Sequence, residues 1–285
     1  MRILAILLLL YSITQANNAQ QQTTSDASPL TILVSVPPQA YFVRAIGKDT
    51  ITINTIVPPE SSPETYEPKL SQIRAFAQAR IFFGVGMPYE APYFSRIQQT
   101  NKNISYINLG KLLHNIKSNY THDHNHAYDP HIWLSLTAIK PQAMAIYQAL
   151  AALNPSKESF YKQNLIALLA KIDTIKNDLD AILMPHKGKA FLVIHPAFSY
   201  FAKDFGLEEF ALEEEGKEAK IKSLSQMPEL IRQKKITTLF IQPQFDRMRA
   251  ESIAKMLNLK LEILDPLSED WEANLYSIAQ KITMP

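Results

Sequence analysis

The chain has 285 residues, 46% hydrophobic and 20% charged, a composition that fits one large folded domain or two ordinary ones and excludes disorder, collagen-like repeats and coiled coil as descriptions of the whole. Lys and Arg number 29 against 27 Asp and Glu, a net charge of +2, so there is no cationic excess to follow a phosphate backbone and nucleic acid is not an expected partner. With no cysteine, a disulfide scaffold, a CxxC redox pair, a thiolate zinc site, an iron–sulfur cluster and a Cys-anchored lipoprotein are all excluded, and any metal must be held by His, Asp, Glu and backbone.

At the start, Met1-Arg2 precedes an apolar stretch over residues 3–11, and Thr14-Gln15-Ala16 places small residues at the −3 and −1 positions of an exit site. This pattern predicts a cleavable signal peptide over residues 1–16, because a membrane anchor needs ~20 apolar residues. Residues 17–28, rich in Gln, Asn, Ser and Thr, are expected to form a flexible leader with no core.

Beyond the leader, residues 31–36, 51–57, 80–85 and 104–109 are short runs rich in Ile, Val and Phe and bounded by Pro, Gly or Asn, as buried strands are. Helical patterns lie between them, over 38–46 and 69–79. The second half repeats the alternation, with strands expected at 189–194, 237–241 and 261–264 and helices at 196–205, 226–235, 247–257 and 269–282. A βα alternation implies mostly parallel sheets with helices on their faces.

In the middle, Asn154-Pro155-Ser156 is a helix-start signal. Leu165, Leu168, Leu169, Ile172, Ile175, Leu179 and Ile182 then recur at three- and four-residue intervals, unbroken before Pro185. A helix over 156–184 would be ~43 Å long at 1.5 Å per residue. The expected fold is therefore α/β: two lobes, each a mostly parallel sheet flanked by helices, joined by one long rigid backbone helix. The N-terminal lobe takes residues 29–153, the linking segment 154–186 and the C-terminal lobe 187–285.

Seven histidines carry the chemistry. His122, His124 and His126 alternate within a loop-like stretch over 121–126, a pattern that chelates transition metals loosely. His131 opens an apolar run in Asp129-Pro130-His131-Ile132-Trp133-Leu134, and His195 directly follows an expected strand. In open α/β sheets, ligands bind in the crevice beyond the carboxyl ends of the strands. His195, Asp265 and the loop over 58–67 share that placement, and two facing lobes would bring them into one cleft. His114 and His186 read as surface residues, and Tyr66 and Trp133 as core packing.

Five blocks, met in order around the long helix, give the sequence a family resemblance: Val57-Pro58-Pro59 with Tyr66-Glu67-Pro68; residues 129–134; His195-Pro196-Ala197-Phe198-Ser199-Tyr200-Phe201; Gln242-Pro243-Gln244-Phe245; and Leu264-Asp265-Pro266-Leu267. Together they resemble the periplasmic zinc and manganese binding proteins of ABC importers, of the ZnuA type. The resemblance covers nearly the whole chain after the leader. It implies two lobes on a rigid helix, a His-rich loop ahead of the Asp-Pro-His block, and His131, His195 and Asp265 as metal ligands.

One departure stands out. Where the family usually has Pro-His-(Ser or Thr)-Tyr-Glu-Pro, this chain has Pro63-Glu64-Thr65-Tyr66-Glu67-Pro68. Glu64 thus takes the place of the first ligand histidine, and a carboxylate is a competent zinc ligand. Asp129 and Glu67 are expected to orient a histidine or brace the loop.

The resemblance implies a monomeric periplasmic protein that captures Zn2+ and delivers it to a membrane permease driven by a cytoplasmic ATPase. Mn2+ or Fe2+ is the alternative cargo, since oxygen ligands shift a site toward those ions. Two other classes are a metal-stabilised adhesin and a secreted zinc hydrolase. The sequence contains no HExxH, HxxEH, GxSxG or GxxxxGK[ST], so no enzyme is expected.

Overall fold

The computed structural model describes residues 28–113, 129–213 and 221–284. The expected signal peptide and leader, apart from residue 28, lie outside the described residues, as do His114 and the loop with His122, His124 and His126.

Two four-stranded sheets form the frame. The first takes β1 (Leu30–Val34), β2 (Ile51–Thr55), β3 (Ile81–Gly84) and β4 (Ser105–Asn108) in the order β2-β1-β3-β4. The second takes β5 (Ala190–Val193), β6 (Glu208–Ala211), β7 (Thr238–Ile241) and β8 (Lys260–Ile263) in the order β6-β5-β7-β8. Every pairing is parallel. In both sheets the chain order reverses beside the first strand, at β1 and at β5, which is where an open α/β sheet leaves its ligand crevice.

The strands match the expected apolar runs, and all of the foreseen ones except β7 stop one or two residues earlier. Residues just past their carboxyl ends keep a few more ladder-like bonds, such as the Val57 N–H to the Ser35 carbonyl, before the chain turns into the crevice loops. β6 is the one strand not foreseen: its sequence Glu-Glu-Phe-Ala has no apolar run, and it pairs with β5 at the edge of the sheet. Helices α1 (Pro37–Gly47), α2 (Leu70–Ala75), α3 (Glu90–Thr100) and α4 (Leu136–Leu153) belong to the first half.

The long helix α5 (Glu158–Leu183) is preceded by a 3-10 turn at Pro155–Lys157 and followed by another at Met184–His186. Its buried face is Tyr161, Leu165, Leu168, Ile172, Ile175, Leu179 and Leu183, a stripe at the expected spacing; Leu169 and Ile182 flank it, half-buried. α5 packs on α1, on α4 and on the last helix α9 (Trp271–Thr283), so it touches both lobes along its length. Helices α6 (Ser199–Phe205), α7 (Ile221–Lys234) and α8 (Arg247–Leu257) complete the second half.

One hydrophobic cluster runs through both lobes, from Ile32 and Phe83 in the first sheet through Trp133 to Trp271 and Ile278 in the second half. A smaller one, around Leu192, Leu239 and Ala254, lies between the second sheet and its outer helix. Polar ties reinforce the joint. Trp133 Nε1 donates to the Pro266 carbonyl and Trp271 Nε1 to the Trp133 carbonyl, both at 2.7 Å. The Ser135 and Thr137 hydroxyls share the Asp204 carboxylate. Arg44 meets Glu269, and Tyr41 and Lys171 meet Glu272. Among the described residues, no helix is long and apolar enough to cross a membrane.

Candidate metal site

The carboxyl ends of both sheets face one cleft, and three of the expected ligands meet there. His195 stands two residues past β5. His131 precedes a 3-10 turn over Ile132–Leu134, and Glu64 comes from the loop after β2. Glu64 Oε1 lies 3.4 Å from His195 Nε2 and 3.9 Å from His131 Nε2, and one donor atom from each of the three residues lies within 4.8 Å of the others. Bonds of ~2.0–2.1 Å at tetrahedral angles place neighbouring donors ~3.4 Å apart. The spacings from Glu64 Oε1 to the two imidazole nitrogens, 3.4 and 3.9 Å, are close to that value.

The cavity among these donors has a volume of about 20 Å³ and is also lined by Gln242, Gln244 and Phe245. That is room for about one water-sized body and far below the size of an organic ligand pocket. Both imidazoles are buried, while Glu64 is 28% exposed. The open edge of the site is therefore its carboxylate.

Each histidine is oriented from behind. His131 Nδ1 lies 2.8 Å from Asp129 Oδ1, and the His131 backbone N–H donates to the same oxygen. The other oxygen of Asp129 accepts from the Ser199 hydroxyl, and Tyr200 OH donates to the Asp129 carbonyl. Burial works against the Asp129 carboxylate, but the His131 charge and the hydrogen bonds from His131 and Ser199 outweigh it and hold the group below the usual carboxylate range.

His195 Nδ1 lies 3.0 Å from Glu213 Oε2. Burial pushes the His195 imidazolium down; hydrogen bonds to Glu213 and Glu64, and their charges, reverse this and raise it to about 10. A carboxylate on Nδ1 fixes the tautomer and leaves Nε2 to face the cavity. His195 also stacks on Phe245, with ring centroids 5.5 Å apart.

Glu213 could not be read from sequence, and the reason is β6. β5 and β6 pair with Val193 opposite Ala211; the pairing continues as the Leu212 N–H donates to the Val193 carbonyl and the Glu213 N–H to the Ile194 carbonyl. Two residues past the register pair, Glu213 lands beside His195. Without β6, nothing linked the two. Asp129 takes the orienting place expected of it. Tyr66 is half-buried and donates to Gln72, and Trp133 is fully buried.

Asp265 also sits at a strand end, just past β8, but its carboxylate is not among the three converging groups. It accepts from the Leu267 N–H at 2.8 Å and from the Gln244 side chain. Burial raises its pKa, against the pull of those bonds and of Lys281. Gln244 Nε2 also donates to the Pro59 carbonyl at 2.6 Å, so one amide ties Asp265 to the loop that carries Glu64.

The family profile described as "Zinc-uptake complex component A periplasmic" matches residues 32–283. A putative metal-binding protein of Thermotoga maritima is 30% identical over 253 residues, 88% of this chain and 89% of that protein. The high-affinity zinc uptake system protein ZnuA of Yersinia pestis is 27% identical over 263 residues, 83% of this chain and 82% of that one. A crystal structure of ZnuA superposes with a TM-score of 0.82 at 35% identity, covering 89% of this chain and 98% of that chain. The chain thus belongs to the ZnuA family of metal-binding proteins of ABC importers, which are solute-binding proteins and not enzymes.

Proposed function

We propose that this protein captures Zn2+ in the periplasm and hands it to the permease of an ABC importer, whose cytoplasmic ATPase drives uptake. The observation that carries the reading is the convergence of Glu64, His131 and His195 on a cavity sized for one ion, with both imidazoles backed by carboxylates. Two nitrogens and a carboxylate oxygen at near-tetrahedral spacing suit zinc.

In this reading Glu64, His131 and His195 take the ion first. The fourth position is left to a water or to Asp265, and Asp265 can take it only by giving up its bond to Gln244. Residues 1–16 act as a cleaved signal peptide, and the released protein is a monomer. His122, His124 and His126 form an auxiliary loop that raises the local metal concentration.

Mn2+ or Fe2+ is the second reading, and the specific observation behind it is Glu64. An oxygen donor where the family usually has an imidazole moves the site toward harder ions. The test is metal content after chelation and reloading from an equimolar mixture of zinc, manganese and iron, with His195→Ala as control. One zinc per chain, lost in the control, is expected. Manganese or iron retention overturns zinc as the cargo, and no retention overturns the capture function.

A further inference from the structure

The cavity has one more lining residue with chemistry to spare. Gln242 leaves the carboxyl end of β7, is 1% exposed, and borders the same cavity as Glu64, His131 and His195. Its Nε2 donates to the His195 carbonyl. That bond fixes the orientation of the amide, because only the NH2 end can face a carbonyl oxygen. The other end, Oε1, is buried and has no hydrogen-bond partner among the described residues. A buried amide oxygen without a donor is destabilising, and Gln242 borders the same cavity that the three converging groups line.

The coordination geometry makes a matching demand. Three protein donors leave one position open on a tetrahedral ion, and the Asp265 carboxylate is held by the Leu267 N–H and the Gln244 amide. An ion that enters with one water retained fills that position with an oxygen carrying two protons.

We propose that Gln242 is a metal-site residue: its Oε1 accepts a hydrogen bond from a water molecule bound to the captured ion in the fourth coordination position. The inference rests on reading the cavity as a metal site. A glutamine suits the role because it accepts from the water without adding charge and donates to the His195 carbonyl with its other end. A carboxylate can do only the first.

The test compares zinc affinity, by competition with a chromophoric chelator, in the purified wild type, Gln242→Met, Gln242→Glu and His195→Ala. Gln242→Met keeps the shape but removes both functions; it is expected to weaken zinc binding about tenfold, at the low end for groups that support a metal ligand. Gln242→Glu keeps an acceptor oxygen but loses the donor to His195, and is expected to bind at least as tightly as wild type.

Unchanged affinity in Gln242→Met overturns the proposal, as do equal losses in both variants, which would assign Gln242 to bracing the His195 carbonyl. Zinc bound by the wild type and lost in His195→Ala upholds the metal site whichever way Gln242 falls. No zinc in the wild type overturns both readings. A zinc-loaded crystal structure of the wild type decides independently of any folding defect: a zinc-bound water within hydrogen-bond distance of Gln242 Oε1 is expected, and the Asp265 carboxylate in that position contradicts it.

Discussion

Both histidines offer Nε2 to the cavity because a carboxylate occupies the opposite nitrogen, Asp129 behind His131 and Glu213 behind His195. Replacing Glu213 by Gln keeps the size and an acceptor oxygen but removes the charge that holds the Nδ1 proton in place. The expected result is a 10–100-fold loss of zinc affinity with one-to-one stoichiometry retained; unchanged affinity in a chelator competition would free His195 from this dependence. Acidity acts on the same residue. The proton that His195 holds up to about pH 10 must leave when metal binds, so zinc affinity falls as pH is lowered through the neutral range.

Glu209 sets a separate pH dependence on stability. It is buried in β6 and accepts from the Ala197 and Phe198 N–H groups. Burial, with some help from Asp129, raises it from 4.5 to about 7 against those bonds. Its folded pKa is above its unfolded one, so the folded state holds the proton more tightly. The stability this gives is present below pH ~4.5 and lost as pH rises through ~7. Glu209→Gln keeps the acceptor oxygen without the titration. The metal-free variant should match wild type near pH 4 and exceed it by up to ~3 kcal/mol at pH 8. Denaturant unfolding at the two pH values measures this, and parallel stability curves would contradict it.

At the scale of elements, the site is built from the loop after β2, the ends of β5 and β7, and one clamped segment. The strands whose ends carry His195 and Asp265 were legible because their runs are apolar and bounded by breakers, and the rule for open α/β sheets then placed those residues at the crevice. Glu64 was legible as a ligand only through the family resemblance, since a glutamate in a Pro-rich loop has no pattern of its own. Glu213 was not legible, because the strand that aligns it is Glu-Glu-Phe-Ala and its register comes from backbone pairing. Gln242 was visible within a family block, but its unused oxygen depends on which end of the amide meets the His195 carbonyl, a matter of three-dimensional placement.

The segment over residues 129–134 is clamped on several sides. Asp129 is held by Ser199 and Tyr200 of α6, and Trp133 exchanges hydrogen bonds with Pro266 and Trp271. The long helix α5 stands behind this frame with Ile172 fully buried at its middle. Ile172→Ala opens a cavity at the joint and should cost ~2–5 kcal/mol, with the zinc site retained in the folded fraction. Chemical denaturation measures the loss. A cost under ~1 kcal/mol would mean the joint does not depend on the helix stripe.

For the whole molecule, the shared core, α5, the Arg44–Glu269 ion pair and the Tyr41–Glu272 hydrogen bond all join the two lobes. A joint built this way resists wide hinge bending. Metal loading is expected to move loops, chiefly the one carrying Glu64, and to leave the lobes in place. Solution scattering with and without zinc should give the same radius of gyration within error, and a marked compaction would contradict the stiff joint.

The central claim is that one zinc ion is held by His131, His195 and Glu64 in this cavity. X-ray absorption at the zinc edge of the loaded protein tests it most directly, because it counts imidazoles and distances around the ion. The expected result is a four-coordinate ion with two imidazole nitrogens and two oxygens at ~2.0–2.2 Å, and no zinc retained in His195→Ala. A first shell without imidazole, or one unchanged by that substitution, would contradict it.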